Sequence, residues 1–265
     1  MRIVRFSPAA ADAALGLGTD PLFGLLNDDD LIAVLSGDPL FAGINASGKV
    51  VPLAQVRLLA PVLPRSKVVC IGKNYADHAK EMGGEVPAEP VIFLKPNTSV
   101  IGPGDTIAWP AMSDRVDHEA ELAIVIGRIC KDVPKERFSD VIFGYTVAND
   151  VTARDLQKKD GQWTRAKGFD TFCPLGPWID TDFKPGSQLI TATLNGEIKQ
   201  SAQLSDMIFD IPTIINFVSQ VMTLLPGDVI LTGTPAGIGP MPEKATVTVA
   251  IEGLGALTNK VSVHG

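Results

Sequence analysis

Asp117-His-Glu-Ala-Glu-Leu-Ala-Ile-Val-Ile-Gly127 is the stretch on which the fold turns. Read as a strand, its period of two puts Glu119, Glu121, Ala123 and Val125 on one face. His118, Ala120, Leu122, Ile124 and Ile126 take the other. The face that begins with two carboxylates turns apolar within two residues, which places both acids at the lip of a core. Like charges set so close repel unless a cation lies between them. A hard divalent ion resolves that repulsion, because Mg²⁺, Mn²⁺ and Ca²⁺ favour carboxylate oxygens. An acidic strand end turned to solvent meets the same spacing, so the pattern alone leaves both readings open.

Downstream, Phe143-Gly-Tyr-Thr-Val-Ala-Asn-Asp150 is a β-like run that ends on an acid. Asp150 is either a third oxygen ligand or the cap of a turn or helix. Upstream, Val68–Gly72 reads as a strand and Tyr75–Met82 as a short helix closed by Gly83-Gly84. His78 and Glu81 then fall at i and i+3 on one helical face. A carboxylate beside an imidazole orients it and raises its basicity, as a general base requires; a surface ion pair is the plainer alternative. Lys95 follows an apolar run, and Lys167 stands in a loop rich in Gly and aromatics. Either lysine meets an anionic substrate or braces the carboxylates, unless it is simply solvated. Leu231-Thr-Gly-Thr-Pro-Ala-Gly-Ile-Gly239 is a Gly-rich turn after the strand Asp228–Leu231. Its spacing is GxxxGxG rather than GxGxxG, Pro235 spoils the donor array, and no βαβ context surrounds it, which excludes a dinucleotide loop. Its amides and the Thr234 hydroxyl suit a substrate carboxylate instead.

The chain as a whole is punctuated by 25 Gly and 20 Pro without a repeat, which implies short elements joined by turns. Asn195-Gly196 between Leu189–Leu194 and Glu197–Gln200 predicts a type I′ hairpin. A second hairpin joins Thr246–Ile251 to Ala256–Val263. Ile214, Ile215, Val218, Val221, Met222 and Leu225 recur at helical spacing after Pro212 and stop at Pro226-Gly227. A shorter helix is expected from Pro134 to Asp140, with Asp132 as its cap. Met1–Phe6, Leu31–Leu35 and Lys49–Val56 read as strands, and the prolines of 60–66 as a linker. The expectation is a β-rich α+β chain with a small N-terminal domain, 1–65, and a main body, 66–265.

At 265 residues, 45% hydrophobic and 20% charged, the chain can bury a sizeable core. A net charge of −7 argues against a general grip on nucleic acid or an anionic membrane. No apolar run reaches the roughly 18 residues of a spanning helix, and Met1–Gly16 reads poorly as a leader. Cys70, Cys130 and Cys173 stand far apart, which indicates neither a disulfide framework nor a zinc site and fits a reducing cytoplasm. Of three histidines, His264 is at the C-terminal end.

IGKNYADHAKE, FLKP, DHEAELAIVIG, NDVTARDLQ, RAKGFDTFCPLGPW and LLPGDVILTGTPAGIG occur in that order from about residue 66 to 263. Together they resemble the fumarylacetoacetate hydrolase family, most nearly its acylpyruvase and oxaloacetate decarboxylase branch. Enzymes of 2-hydroxyhepta-2,4-diene-1,7-dioate breakdown in aromatic catabolism look similar. The resemblance implies a mixed β-sheet roll of that family's C-terminal type, usually a homodimer. It implies that Glu119, Glu121 and Asp150 bind one Mg²⁺ or Mn²⁺, with Lys167 beside them. His78 and Glu81 would be the catalytic pair on a lid helix, and Lys95, Gln157 and Thr234 would contact a small anionic 2-oxo-acid substrate. The expected activity is metal-dependent C–C cleavage of 2-oxo or 2,4-dioxo acids: acylpyruvate or fumarylpyruvate hydrolysis, or oxaloacetate decarboxylation. Dienedioate isomerisation is the runner-up, since it uses the same electron sink. A catalytically silent 2-oxo-acid-binding dimer is the reading from another class, and the His78–Glu81 pair argues against it.

Overall fold

A computed structural model describes residues 1–8, 17–18 and 20–263. Residues 9–16, part of the stretch read as no leader, and His264 lie outside the described residues.

The alternation of the central stretch is present, but both of its faces are covered. Ala120, Leu122, Ile124 and Ile126 pack with Ile211, Ile214, Ile215 and Val218, while Ala123 and Val125 pack with Ile3, Val68, Cys70, Leu175 and Val229. The near-continuous apolar run is what a strand buried on two sides demands. The stretch is also two strands rather than one. Val116–His118 lies in a small sheet between Thr152–Ala153 and Gly239–Pro240, and Ala120–Ile126 lies in the large sheet. The chain changes sheet at Glu119, whose N–H donates to the Asn149 side chain (3.0 Å) instead of to a neighbouring strand.

Among the described residues, twelve strands form the large sheet. Its main path runs from Ala46–Pro52 through Leu31–Leu35, Leu22–Leu26, Arg2–Pro8, Cys173–Asp180, Ile142–Asn149, Ala120–Ile126, Val229–Leu231 and Val68–Gly72 to Val91–Lys95. The N-terminal strands therefore continue the main sheet through Arg2↔Asp180 and Ile3↔Ile179. They also keep a small core of their own around Val4, Phe6, Ile32 and Val34. A third sheet carries both expected hairpins, Leu189–Leu194 with Glu197–Gln203 and Thr246–Ile251 with Gly255–Val261. Asn195 (φ 50°) and Gly196 (φ 84°) supply the positive dihedrals of the type I′ turn.

Three local expectations are corrected. The long helix is Ile211–Val221, capped by Asp210 on the Thr213 N–H. It stops before Met222 because Leu224 exchanges two backbone hydrogen bonds with Cys130 (2.9 and 3.0 Å), which pulls the chain straight. The segment Lys135–Val141 is a 3₁₀ helix preceded by Pro134, and Asp132, at φ 51°, does not cap it. The strand expected over Lys49–Val56 is divided by a turn at Leu53–Gln55 into Ala46–Pro52 and Val56–Leu59. Cys70, Cys130 and Cys173 are free thiols, and no helix among the described residues is long and apolar enough to cross a membrane.

Candidate active site

Glu119 stands at the change of sheet, Glu121 two residues into the strand that follows, and Asp150 just past the neighbouring strand. The register Ala120↔Asn149 sets them side by side. All three are buried, and their nearest carboxylate oxygens lie within 4.8 Å of one another. They open on a cavity of about 180 Å³ also lined by Lys73, His78, Arg154, Gln157, Lys158, Trp163, Lys167 and Thr234. The solvent-facing alternative for the two glutamates is thereby excluded.

Cations answer two of the three acids. Lys167 Nζ donates to Glu119 Oε2 (2.8 Å) and Asp150 Oδ2 (2.6 Å), Lys95 Nζ to Asp150 Oδ1 (2.5 Å), and Arg154 to Glu119 and Asp117. Burial works to raise the Glu119 carboxyl, but Lys167 and Arg154 outweigh it and hold Glu119 below the ordinary carboxylate range. Glu121 behaves oppositely. Burial, then the charges of Asp150 and Glu119, push it well above that range. It accepts from the Gly233 N–H (2.6 Å) and makes no ion pair among the described residues. Glu121 is thus the one of the three acids without a paired cation among the described residues, at a point where three hard oxygen donors converge. That donor set fits Mg²⁺ or Mn²⁺.

The helix Ala76–Glu81 carries the dyad. His78 Nδ1 lies 3.2 Å from Glu81 Oε2, so Nδ1 donates to the carboxylate, which leaves Nε2 as the acceptor of the neutral ring. Glu81 stands behind His78 and also accepts from the Gly237 N–H (3.1 Å), which ties the helix to the Gly-rich turn. Gln200, fully buried on the Glu197–Gln203 strand, fastens that turn from the other side. Its Oε1 accepts from Ala120 N–H (3.0 Å), and its Nε2 donates to Pro235 O (2.7 Å) and Thr234 Oγ1 (2.8 Å). Thr234 accepts there, so its hydroxyl hydrogen is free to donate to a ligand. Gln157 is similar: Oε1 accepts from Arg154 (2.6 Å), leaving its amide hydrogens as donors.

Eight of the nine residues singled out from sequence converge on this site, seven on the cavity wall and Glu81 behind His78. Lys95 is not on the wall. Its ammonium is fully buried against Asp150 and Val151 O (3.1 Å), so it braces the acid from behind. Sequence reasoning missed Arg154, Asp117 and Gln200. The i, i+3 spacing of Arg154 and Gln157 could have found the first; nothing local marks the other two.

A mixed-sheet roll with a buried acid cluster beside a histidine dyad defines a cleft built for acid–base chemistry. The chain is an enzyme of the fumarylacetoacetate hydrolase family: residues 67–262 match its C-terminal model, and residues 1–61 match a model described as Rv2993c-like, N-terminal. It is 49% identical to the solved 5-carboxymethyl-2-hydroxymuconate delta-isomerase from Mycobacterium smegmatis, with a TM-score of 0.89 and 99% of each chain covered. It is 44% identical over 222 residues to the mitochondrial oxaloacetate tautomerase Fahd2a of Rattus norvegicus, covering 80% of this chain and 71% of that protein. The maleylpyruvate hydrolase from Sphingobium sp. SYK-6, solved with manganese(II) and pyruvate, is 31% identical with a TM-score of 0.78 over 99% of each chain.

Proposed function

We propose that this enzyme acts at C3 of small 2-oxo acids with Mg²⁺ or Mn²⁺, and that it cleaves a carbon–carbon bond of a 2,4-dioxo acid or of oxaloacetate. The observation that carries this is one cavity holding both a three-carboxylate cluster and a carboxylate-backed imidazole. Glu119, Glu121 and Asp150 would hold the divalent ion, which would supply a Lewis acid to the 2-oxo-acid group. The Thr234 hydroxyl and Gln157 amide offer the same ligand neutral donors. Glu81 holds His78 in the tautomer whose Nε2 accepts a proton. In hydrolysis His78 takes that proton from water as the oxygen adds to the distal carbonyl. The C3–C4 bond then breaks, its electron pair goes to C3, and His78 returns the proton there. The products are a carboxylic acid and pyruvate.

A second reading keeps every carbon–carbon bond and moves a proton between C3 and the 2-oxo oxygen. Similarity to the tautomerase and the isomerase favours it, and it needs the same base. Ultraviolet assays of oxaloacetate, acetylpyruvate and fumarylpyruvate with Mn²⁺, repeated after chelation, separate the two. Pyruvate released in step with the absorbance change supports cleavage. Loss of enol absorbance without pyruvate supports the second reading, and no turnover of any of the three with Mn²⁺ sinks both.

A further inference from the structure

We propose that Lys73 selects substrates bearing a second carboxylate, remote from the 2-oxo group; this rests on the 2-oxo-acid reading above. Lys73 has φ 57°, a left-handed conformation that Gly adopts freely, Asn tolerates and Lys enters at a cost. Its neighbour enforces it. Asn74 Nδ2 donates to Thr232 O (2.7 Å) and Phe209 O (3.0 Å), and Asn74 Oδ1 accepts from Phe209 N–H (2.7 Å). A position whose backbone suits glycine but which carries a long cation is one where strain points to a role for the side chain.

That side chain lies half-buried on the cavity wall and makes neither a hydrogen bond nor an ion pair among the described residues. Its ammonium rests against Gly84, where a Cβ would stand 2.8 Å from Nζ. The other buried cations are committed: Lys95, Lys167 and Arg154 each hold Glu119 or Asp150. Lys73, with the exposed Lys158 on the same wall, has no acid of its own. The wall bears three carboxylates against four permanent cations before any divalent ion is added. A dianion therefore gains more from this cavity than a monoanion of the same length, and a lysine offers the second carboxylate a compact point charge.

Three variants test this. Lys73→Asn removes the charge with a residue that tolerates the backbone, Lys73→Arg keeps the charge, and Gly84→Ala pushes the ammonium aside without deleting it. Calorimetry with Mn²⁺ compares 2-oxoglutarate with 2-oxobutyrate as probes, and kinetics compare fumarylpyruvate with acetylpyruvate. The diacid-to-monoacid ratio should fall about tenfold or more in Lys73→Asn, through KM rather than kcat. It should fall in the same direction in Gly84→Ala and largely survive in Lys73→Arg. A ratio unmoved within about threefold, or equal loss of both ligands, overturns the selector role. If no substrate turns over but the binding ratio still follows Lys73, the selector stands and the catalytic reading falls. If cleavage proceeds and the ratio ignores Lys73, the reverse holds.

Discussion

Glu121 is the acid whose state depends most on what the cavity holds. Lys167 spans its two partners and leaves it with a single backbone donor. Replacing it removes a proposed ligand and also a carboxyl that Asp150 and Glu119 repel. Glu121→Gln should weaken Mn²⁺ binding by about tenfold or more, or about 1.4 kcal/mol, without lowering the melting temperature of the metal-free protein. Calorimetry showing unchanged affinity would remove Glu121 from the ligand set. In the proposed mechanism His78 separates reactions rather than ligands. Hydrolysis needs an activated water, whereas decarboxylation needs only an electron sink and a carboxylate held out of the carbonyl plane. His78→Ala should therefore lose roughly 10²–10⁴-fold on acylpyruvates and less on oxaloacetate; steady-state kinetics leaving both within about threefold would discard the dyad. At this scale alternation set Glu119 and Glu121 on one face but left a solvated strand end open, and the family resemblance rather than the spacing favoured a metal site. Gln200 was not legible, because its partners Ala120 and Thr234 lie 80 and 34 residues away.

The Gly-rich turn after Val229–Leu231 is the element on which the proposed catalytic groups depend from several sides. It donates to Glu121 through Gly233 and to Glu81 through Gly237, and presents Thr234 between them. Gly237 has φ 96°, and a Cβ there would collide with Lys199 O. Gly237→Ala should cost at least about 1–2 kcal/mol and lower kcat as Glu81 loses its anchor. Urea unfolding and kinetics on the same preparation check this, and an unchanged kcat would show that Glu81 does not need the turn. Elements made by local chemistry were readable in advance, as Asn195-Gly196 shows. Those set by distant partners were not. The apolar period after Pro212 runs on to Leu225, but the helix ends at Val221 because Cys130 captures the backbone of Leu224.

At the scale of the whole molecule, the site depends on sheets that meet around one buried strand. Ala123 and Val125, which follow Glu119 and Glu121 on the same strand face, share a core with Ile3 of the N-terminal strand. That strand hydrogen-bonds to Cys173–Asp180, so the N-terminal unit is joined to the body by backbone pairing as well as by side chains. The protein should unfold in one cooperative transition, with calorimetry and near-ultraviolet dichroism giving one midpoint; two separated transitions would show that the two parts melt independently. The acids themselves straddle the end of a pair of strands, where the Asp150 N–H reaches Glu119 O at 2.9 Å. Strand pairing stops there, and beyond it Asp150 is held by Lys95 and Lys167. An opening at this point would carry Asp150 away from Glu119 and disperse the oxygens that a cation would share. An ion shared by these oxygens would bind only the closed form, and so would hold this strand end shut.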